Sequence, residues 1–75
     1  MLRILGPGRA GQRLVRILDV SEHGLKITSA EPLPPGTLVH IRMEDSAVVA
    51  EVRHCSVTQT GFTAGLRVDS ITAVS

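Results

Sequence analysis

Short strand-like segments separated by strong chain breakers are the feature that most restricts what this chain can fold into. The last segment is the clearest, because the apolar residues between Phe62 and Val68 occupy every second position, as in a strand with one buried face. No segment has the 3.6-residue period of a helix long enough to be stable by itself. The pattern predicts an all-β fold of antiparallel strands. Six segments are expected to form them, at residues 2–5, 13–20, 25–30, 37–43, 47–56 and 62–68.

The connections between these segments are short and rich in residues that interrupt regular structure. Gly6-Pro7-Gly8 ends the first segment, and residues 31–36 contain three prolines, which cannot donate hydrogen bonds to a sheet. Strands joined in this way leave exposed edges unless the sheet closes on itself. We therefore expect residues 1–75 to form one domain, a small six-stranded antiparallel barrel or split barrel.

The core must be built almost entirely from aliphatic side chains, because Phe62 is the only aromatic residue. Strict alternation in segment 47–56 would place His54 on the same face as Val52, with Cys55 on the opposite face. The residues expected to share the core are Val39, Ile41, Val52, Phe62, Leu66 and Val68.

The net charge of +1 conceals an uneven distribution of charge along the chain. Residues 1–18 contain four arginines and no acid, whereas residues 19–75 carry four basic and seven acidic side chains. An anionic partner near the N-terminal part and an ordinary solvated surface are both compatible with this pattern. No site for DNA or RNA is expected, because the chain is barely basic and lacks an aromatic stacking platform.

The usual signatures of enzymes and of metal sites are missing from the sequence. Asp19, Ser21 and His23 lie within five positions, whereas a hydrolytic triad collects its members from separate elements. The three histidines lack metal-ligand spacing, and Cys55 has no second cysteine with which to bind zinc. We expect no catalytic residue, no metal and no cofactor, so the chain is not expected to be an enzyme.

The sequence also predicts where the protein is found. It contains no stretch of roughly 18 apolar residues and no signal-peptide pattern. With a single cysteine it cannot form the disulfide framework that many small secreted domains use. We therefore expect a cytoplasmic module that does not insert into a membrane.

The most distinctive motif is Asp19-Val20-Ser21-Glu22-His23-Gly24, at the end of the second predicted strand. Aspartate and serine oxygens can accept hydrogen bonds from nearby backbone N–H groups, and we expect Gly24 to adopt the positive φ that closes many turns. These properties are typical either of an ordinary well-formed loop or of a small polar site that holds a ligand.

With this motif and several later segments, the sequence resembles the PilZ domain, a bacterial receptor module for cyclic di-GMP. The motif fits that family's (Asp/Asn)-x-Ser-x-x-Gly pattern. Residues 35–39 resemble the start of the family's middle strand, and residues 50–55 with 61–68 resemble its closing hairpin. The resemblance extends over nearly the whole chain and implies a role in bacterial signalling.

The resemblance also implies which residues would contact cyclic di-GMP. Asp19 and Ser21 would hydrogen-bond a guanine edge or the ligand backbone, and Gly24 would let the turn approach the ligand closely. In the family, an Arg-x-x-x-Arg segment before the first strand clamps the phosphates and stacks on guanine. Here this spacing occurs as Arg9-Ala-Gly-Gln-Arg13, immediately before the second predicted strand, so Arg9 and Arg13 are the candidates for that role.

Two functions are compatible with the sequence. The first is a cyclic di-GMP-binding regulatory module, weak or degenerate in binding, whose output passes to a partner protein or a fused domain. The second is a PilZ-like protein-interaction module that does not bind nucleotide. The displaced arginine pair implies either that the sequence begins after the usual segment or that the chain is a degenerate member.

Overall fold

The computed structural model describes residues 15–73 in full and the backbone of residues 2–4 and 12–13. These residues form strands and turns and no helix, which confirms the predicted all-β fold. Five strands are described with their side chains, and the first two by their backbone alone. None of the described residues forms a helix long and apolar enough to cross a membrane. The strands are β1 (Leu2–Ile4), β2 (Gln12–Arg13), β3 (Arg16–Val20), β4 (Gly24–Ser29), β5 (Leu38–Arg42), β6 (Ser46–Thr58) and β7 (Gly61–Ala73).

All of these strands belong to one antiparallel sheet, in the order β2-β1-β5-β6-β7-β4-β3. The prediction of a six-stranded barrel or split barrel is wrong in its strand count, and the described strands do not close into a barrel, because β2 and β3 lie at opposite edges and no ladder joins them in the described part of the chain. The segment expected to be one strand at 13–20 is divided between these two edges. The last two expected strands extend into a hairpin of two 13-residue strands.

The short link between β2 and β3 nevertheless requires the sheet to curve. β2 ends at Arg13 and β3 begins at Arg16, so only two residues connect the two edge strands. A link of this length spans at most about 10 Å, because each extended residue covers roughly 3.3–3.6 Å. The two edges therefore approach each other at one corner, and among the described residues no ladder of hydrogen bonds joins them.

The core lies on the inner face of this curved sheet, where alternate residues of the central strands are buried. The proline-rich loop between β4 and β5 adds one fully buried side chain, Leu33. As predicted, the core includes Val39, Ile41, Val52 and Leu66. The other buried apolar side chains are Leu25, Ile27, Leu33, Val48, Ala50 and Ala64.

Phe62 is not part of this core, and its predicted burial is wrong because it is only half-buried. It lies near the turn of the β6–β7 hairpin, where its partner Val57 is 76% exposed. β5 pairs with β6 only from Ala47 to Glu51, so the ladder that covers the rest of the core ends before this point. Val68, also predicted to be buried, packs against the core but stays partly exposed.

Three β-bulges change which side chains face the core, each by inserting one extra residue into a ladder. The extra residues are Leu18 in β3, Arg53 in β6 and Asp69 in β7. Because side chains alternate along a strand, an extra residue moves the later side chains to the opposite face. The bulge at Arg53 brings Cys55 against the core and leaves His54 exposed on the outer face. The faces predicted for these two residues are wrong, because strict alternation does not anticipate a bulge.

Candidate functional site

A depression of about 300 Å³ lies on the outer face of the sheet, where β3, β4, β7 and β6 run side by side. A row of paired residues crosses it: Asp19 pairs with Lys26, and Lys26 with Gly65. Gly65 pairs in turn with His54, so the row is about 14 Å long, at about 4.8 Å between strands. Gly65 adds no side chain to the row, and the ring of His54 extends into the space above it. This outer-face depression is lined by Asp19, Ser21, Gly24, Leu25, Lys26, Arg53, His54, Gly65 and Leu66.

Asp19 reaches the outer face because of the bulge at Leu18. Ile17, two positions earlier, packs against the core and pairs with Ile27. Without the bulge, alternation would turn Asp19 inward as well. With the bulge, Asp19 pairs with the exposed Lys26 and is itself exposed. A hydrated carboxylate in this position can accept hydrogen bonds from a ligand.

The turn that follows Asp19 is held by hydrogen bonds within itself and to β7. The backbone N–H of Ser21 donates to the Gly24 carbonyl at 2.9 Å, and the Val68 N–H donates to the His23 carbonyl at 3.0 Å. The Ser21 hydroxyl lies 3.4 Å from the Gly24 carbonyl, which is long for an O–H···O hydrogen bond. This hydroxyl can therefore turn towards a better partner in the outer-face depression.

Gly24 is required by close packing and not by its backbone angle. The positive φ predicted for it is wrong, because the described glycines with positive φ are Gly36 and Gly61. A Cβ on Gly24 would lie 3.0 Å from the carbonyl oxygen of Leu66 and 3.4 Å from the Ser21 hydroxyl. A side chain at this position would therefore push the turn away from β7.

Gly65 makes room for the ring of His54. A Cβ on Gly65 would clash with that ring, which extends over the glycine from the neighbouring strand β6. The imidazole therefore covers one side of the outer-face depression, where it offers two nitrogen atoms and an aromatic face to a ligand.

Basic side chains outnumber acidic ones around the depression. Among the described residues, Lys26, Arg53 and His54 line it, together with the single carboxylate of Asp19. Arg53 is exposed, and its guanidinium lies 3.8 Å from the carboxylate of Glu51 on the same strand. The arrangement favours an anionic ligand that also presents hydrogen-bond donors to Asp19.

The structure brings three of the five predicted site residues together. Asp19, Ser21 and Gly24 all line the outer-face depression. Arg9 lies outside the described residues, and Arg13 is described only by its backbone in β2. The ligand-binding role of these two arginines therefore stays a prediction.

The sequence interpretation missed six further residues of the depression: the core residues Leu25 and Leu66, and Lys26, Arg53, His54 and Gly65. The signal that would have found them is the register between strands, which cannot be deduced from sequence without knowing where the bulges lie. Within residues 15–73 and the two described backbone segments, no group of three His, Cys, Asp or Glu side chains is placed to hold a metal ion.

In the described residues, the antiparallel sheet and this depression together indicate a small all-β module. The side chains on its outer face are suited to a polar anionic ligand. The chain belongs to the PilZ domain family, whose family model matches residues 1–75. The match confirms the resemblance that the sequence motifs indicated. PilZ domains are ligand-binding regulatory modules, not a family of enzymes. The chain has no significant match among curated proteins or among solved structures.

Proposed function

We propose that this chain is a regulatory module of the bacterial cytoplasm that binds cyclic di-GMP in the outer-face depression. The observation that supports the proposal most directly is the convergence of Asp19, Ser21 and Gly24 on that depression. These three residues occupy the motif positions of the family, and hydrogen bonds within the turn between β3 and β4 keep Ser21 and Gly24 together. The output of binding passes to a partner protein or a fused domain.

Each chemical part of cyclic di-GMP has a counterpart around the depression. The Asp19 carboxylate suits the guanine edge on which N1–H and the exocyclic amino group present adjacent donors. The Ser21 hydroxyl can donate to or accept from the same base or a ribose–phosphate oxygen. The basic groups of Lys26 and Arg53 suit the phosphates.

The proposed binding is weak, because the two arginines that the family has before its first strand occur later in this chain, as Arg9 and Arg13. Two charge-assisted contacts by such a pair are worth about 1.5–3 kcal/mol each. Their loss would reduce the affinity by about two to four decades, at about 1.4 kcal/mol per decade. Arg9 and Arg13 would recover part of this affinity if their side chains reach the depression.

Calorimetric titration of residues 1–75 with cyclic di-GMP at low salt tests the proposal. Asp19→Asn and Ser21→Ala should each weaken binding by about tenfold, because each removes one hydrogen-bonding group. Glu44→Gln is the matched control, since Glu44 is an exposed carboxylate between β5 and β6 that does not line the depression. Cyclic di-AMP should bind at least about tenfold more weakly, because adenine lacks the donors that guanine presents to Asp19. A folded chain that gives no binding of cyclic di-GMP at millimolar concentrations would refute the proposal.

A second candidate function is a protein-interaction module that does not bind nucleotide. The edge strand β3 supports it, because Leu18 is 49% and Val20 is 64% exposed there. Exposed apolar side chains on an edge strand suit the addition of an extended segment from a partner protein. In that case Leu18→Asp would abolish partner binding, whereas Asp19→Asn would leave it unchanged.

A further inference from the structure

Among the described residues, Arg53 is the arginine that lines the outer-face depression. It is the extra residue of the β6 bulge, inserted between Val52, which pairs with Leu66, and His54, which pairs with Gly65. The bulge leaves Arg53 without a paired residue across the ladder, and its side chain is exposed. A bulge that re-aims one side chain next to a depression is a common device at binding sites.

Ion pairs distinguish Arg53 from the neighbouring Arg67. Arg67 Nη2 donates a hydrogen bond to Glu51 Oε1 at 2.9 Å and lies 3.3 Å from Asp69 Oδ1. Arg53 Nη1 lies 3.8 Å from the same Glu51 oxygen, which is beyond hydrogen-bond distance. Within the described chain, two carboxylates therefore hold Arg67, whereas Arg53 is attracted to one oxygen that already has a closer partner.

We propose that Arg53 is a phosphate-binding residue of this depression and that Glu51 restrains it in the unliganded protein. The proposal rests on the proposed cyclic di-GMP site. When the ligand binds, Arg53 exchanges its long contact with Glu51 for charge-assisted hydrogen bonds, which a planar guanidinium can make to phosphate in pairs. Arg67 stays with Glu51 and Asp69. The bulge on β6 thereby provides a phosphate contact that does not depend on Arg9 or Arg13.

Titration of residues 1–75 with cyclic di-GMP tests this assignment. Arg53→Ala should weaken binding by about tenfold or more and reduce its dependence on salt, because one charged contact to phosphate is lost. Arg67→Ala is the matched control, an arginine on the adjacent strand, and should change the affinity by less than about threefold. Glu51→Gln should strengthen binding by about twofold to threefold, but not in the Arg53→Ala background.

Thermal unfolding of each variant checks that the fold is retained, as expected for side chains that are partly or fully exposed. Equal losses of affinity in Arg53→Ala and Arg67→Ala, or no loss in Arg53→Ala, would overturn the role of Arg53 and leave the cyclic di-GMP site in place. Absence of binding by the folded wild type would overturn the site itself, and the role of Arg53 with it.

Discussion

At the scale of single residues, the position of the His54 ring beside the outer-face depression depends on a residue that has no side chain. Gly65 lies between Lys26 and His54, and a Cβ there would clash with the His54 ring. Because His54 is exposed, its ring can rotate away, and Gly65→Ala should change the free energy of unfolding by less than about 1 kcal/mol. The added methyl group and the displaced ring should nevertheless occupy the depression and weaken the binding of cyclic di-GMP.

Urea unfolding and calorimetric titration of Gly65→Ala separate these two effects. The control is the double variant His54→Ala, Gly65→Ala, in which the clash is absent and the stability should at least equal that of His54→Ala alone. A destabilisation of more than about 2 kcal/mol that persists in the double variant would mean that the backbone, and not the ring, excludes a side chain at this position.

Ile27 and Phe62 test where the core lies. Ile27 is fully buried in β4, whereas Phe62 is half-buried and pairs with the exposed Val57. Ile27→Ala should lower the free energy of unfolding by about 2–5 kcal/mol, a large part of the total stability of a small domain. Phe62→Ala should cost less, although phenylalanine is the larger side chain. Urea unfolding of both variants gives the ranking, and the opposite order would put Phe62 in the core.

Sequence patterns located the turn of the candidate site but not the remainder of the depression. Asp19, Ser21 and Gly24 belong to one contiguous motif, so their proximity follows from local spacing. Gly65 and His54 join them only through the pairing of strands that are distant in sequence. No local pattern contains that register, which is why these two residues were found only in the structure.

At the scale of elements, the bulge in β6 gives two neighbouring residues opposite roles. His54 lies on the outer face and Cys55 packs against the core. His54→Ala should therefore weaken the binding of cyclic di-GMP and leave stability nearly unchanged. Cys55→Ser should leave binding unchanged and cost about 1 kcal/mol of stability, because a hydroxyl replaces a partly buried thiol. Thermal unfolding and titration of both variants test this, and the reverse pattern would show that β6 alternates without a bulge.

The strands could be predicted from the sequence, but the bulges could not. The expected segments at 25–30 and 37–43 correspond closely to β4 and β5, because alternation and flanking breakers mark both of them. A bulge adds one residue to a strand, and none of the three bulges here is marked by a characteristic residue. The three extra residues are chemically unrelated: Leu18, Arg53 and Asp69.

At the scale of the whole molecule, the described strands form one open curved sheet, whereas the sequence predicted a six-stranded barrel or split barrel. The all-β class followed from alternation and from the prolines that interrupt the chain. The change of strand could not be predicted, because residues 13–20 contain no chain breaker and only Leu14 and Val15 separate the end of β2 from the start of β3. When one strand ends and the next begins within such a run, no residue marks the boundary. The sequence therefore predicted one long strand.

Amide hydrogen exchange along the β6–β7 hairpin should reveal where the sheet is open. Residues 47–51 lie between β5 and β7, and residues 62–67 lie between β6 and β4. In the described chain, residues 54–58 and 70–73 pair on one side only. Local opening costs least where a strand is least covered, so amides of the one-sided segments should exchange at least about tenfold faster than those of the two-sided segments. Equal protection along the whole hairpin would mean that another part of the chain completes these strands, and that the sheet closes after all.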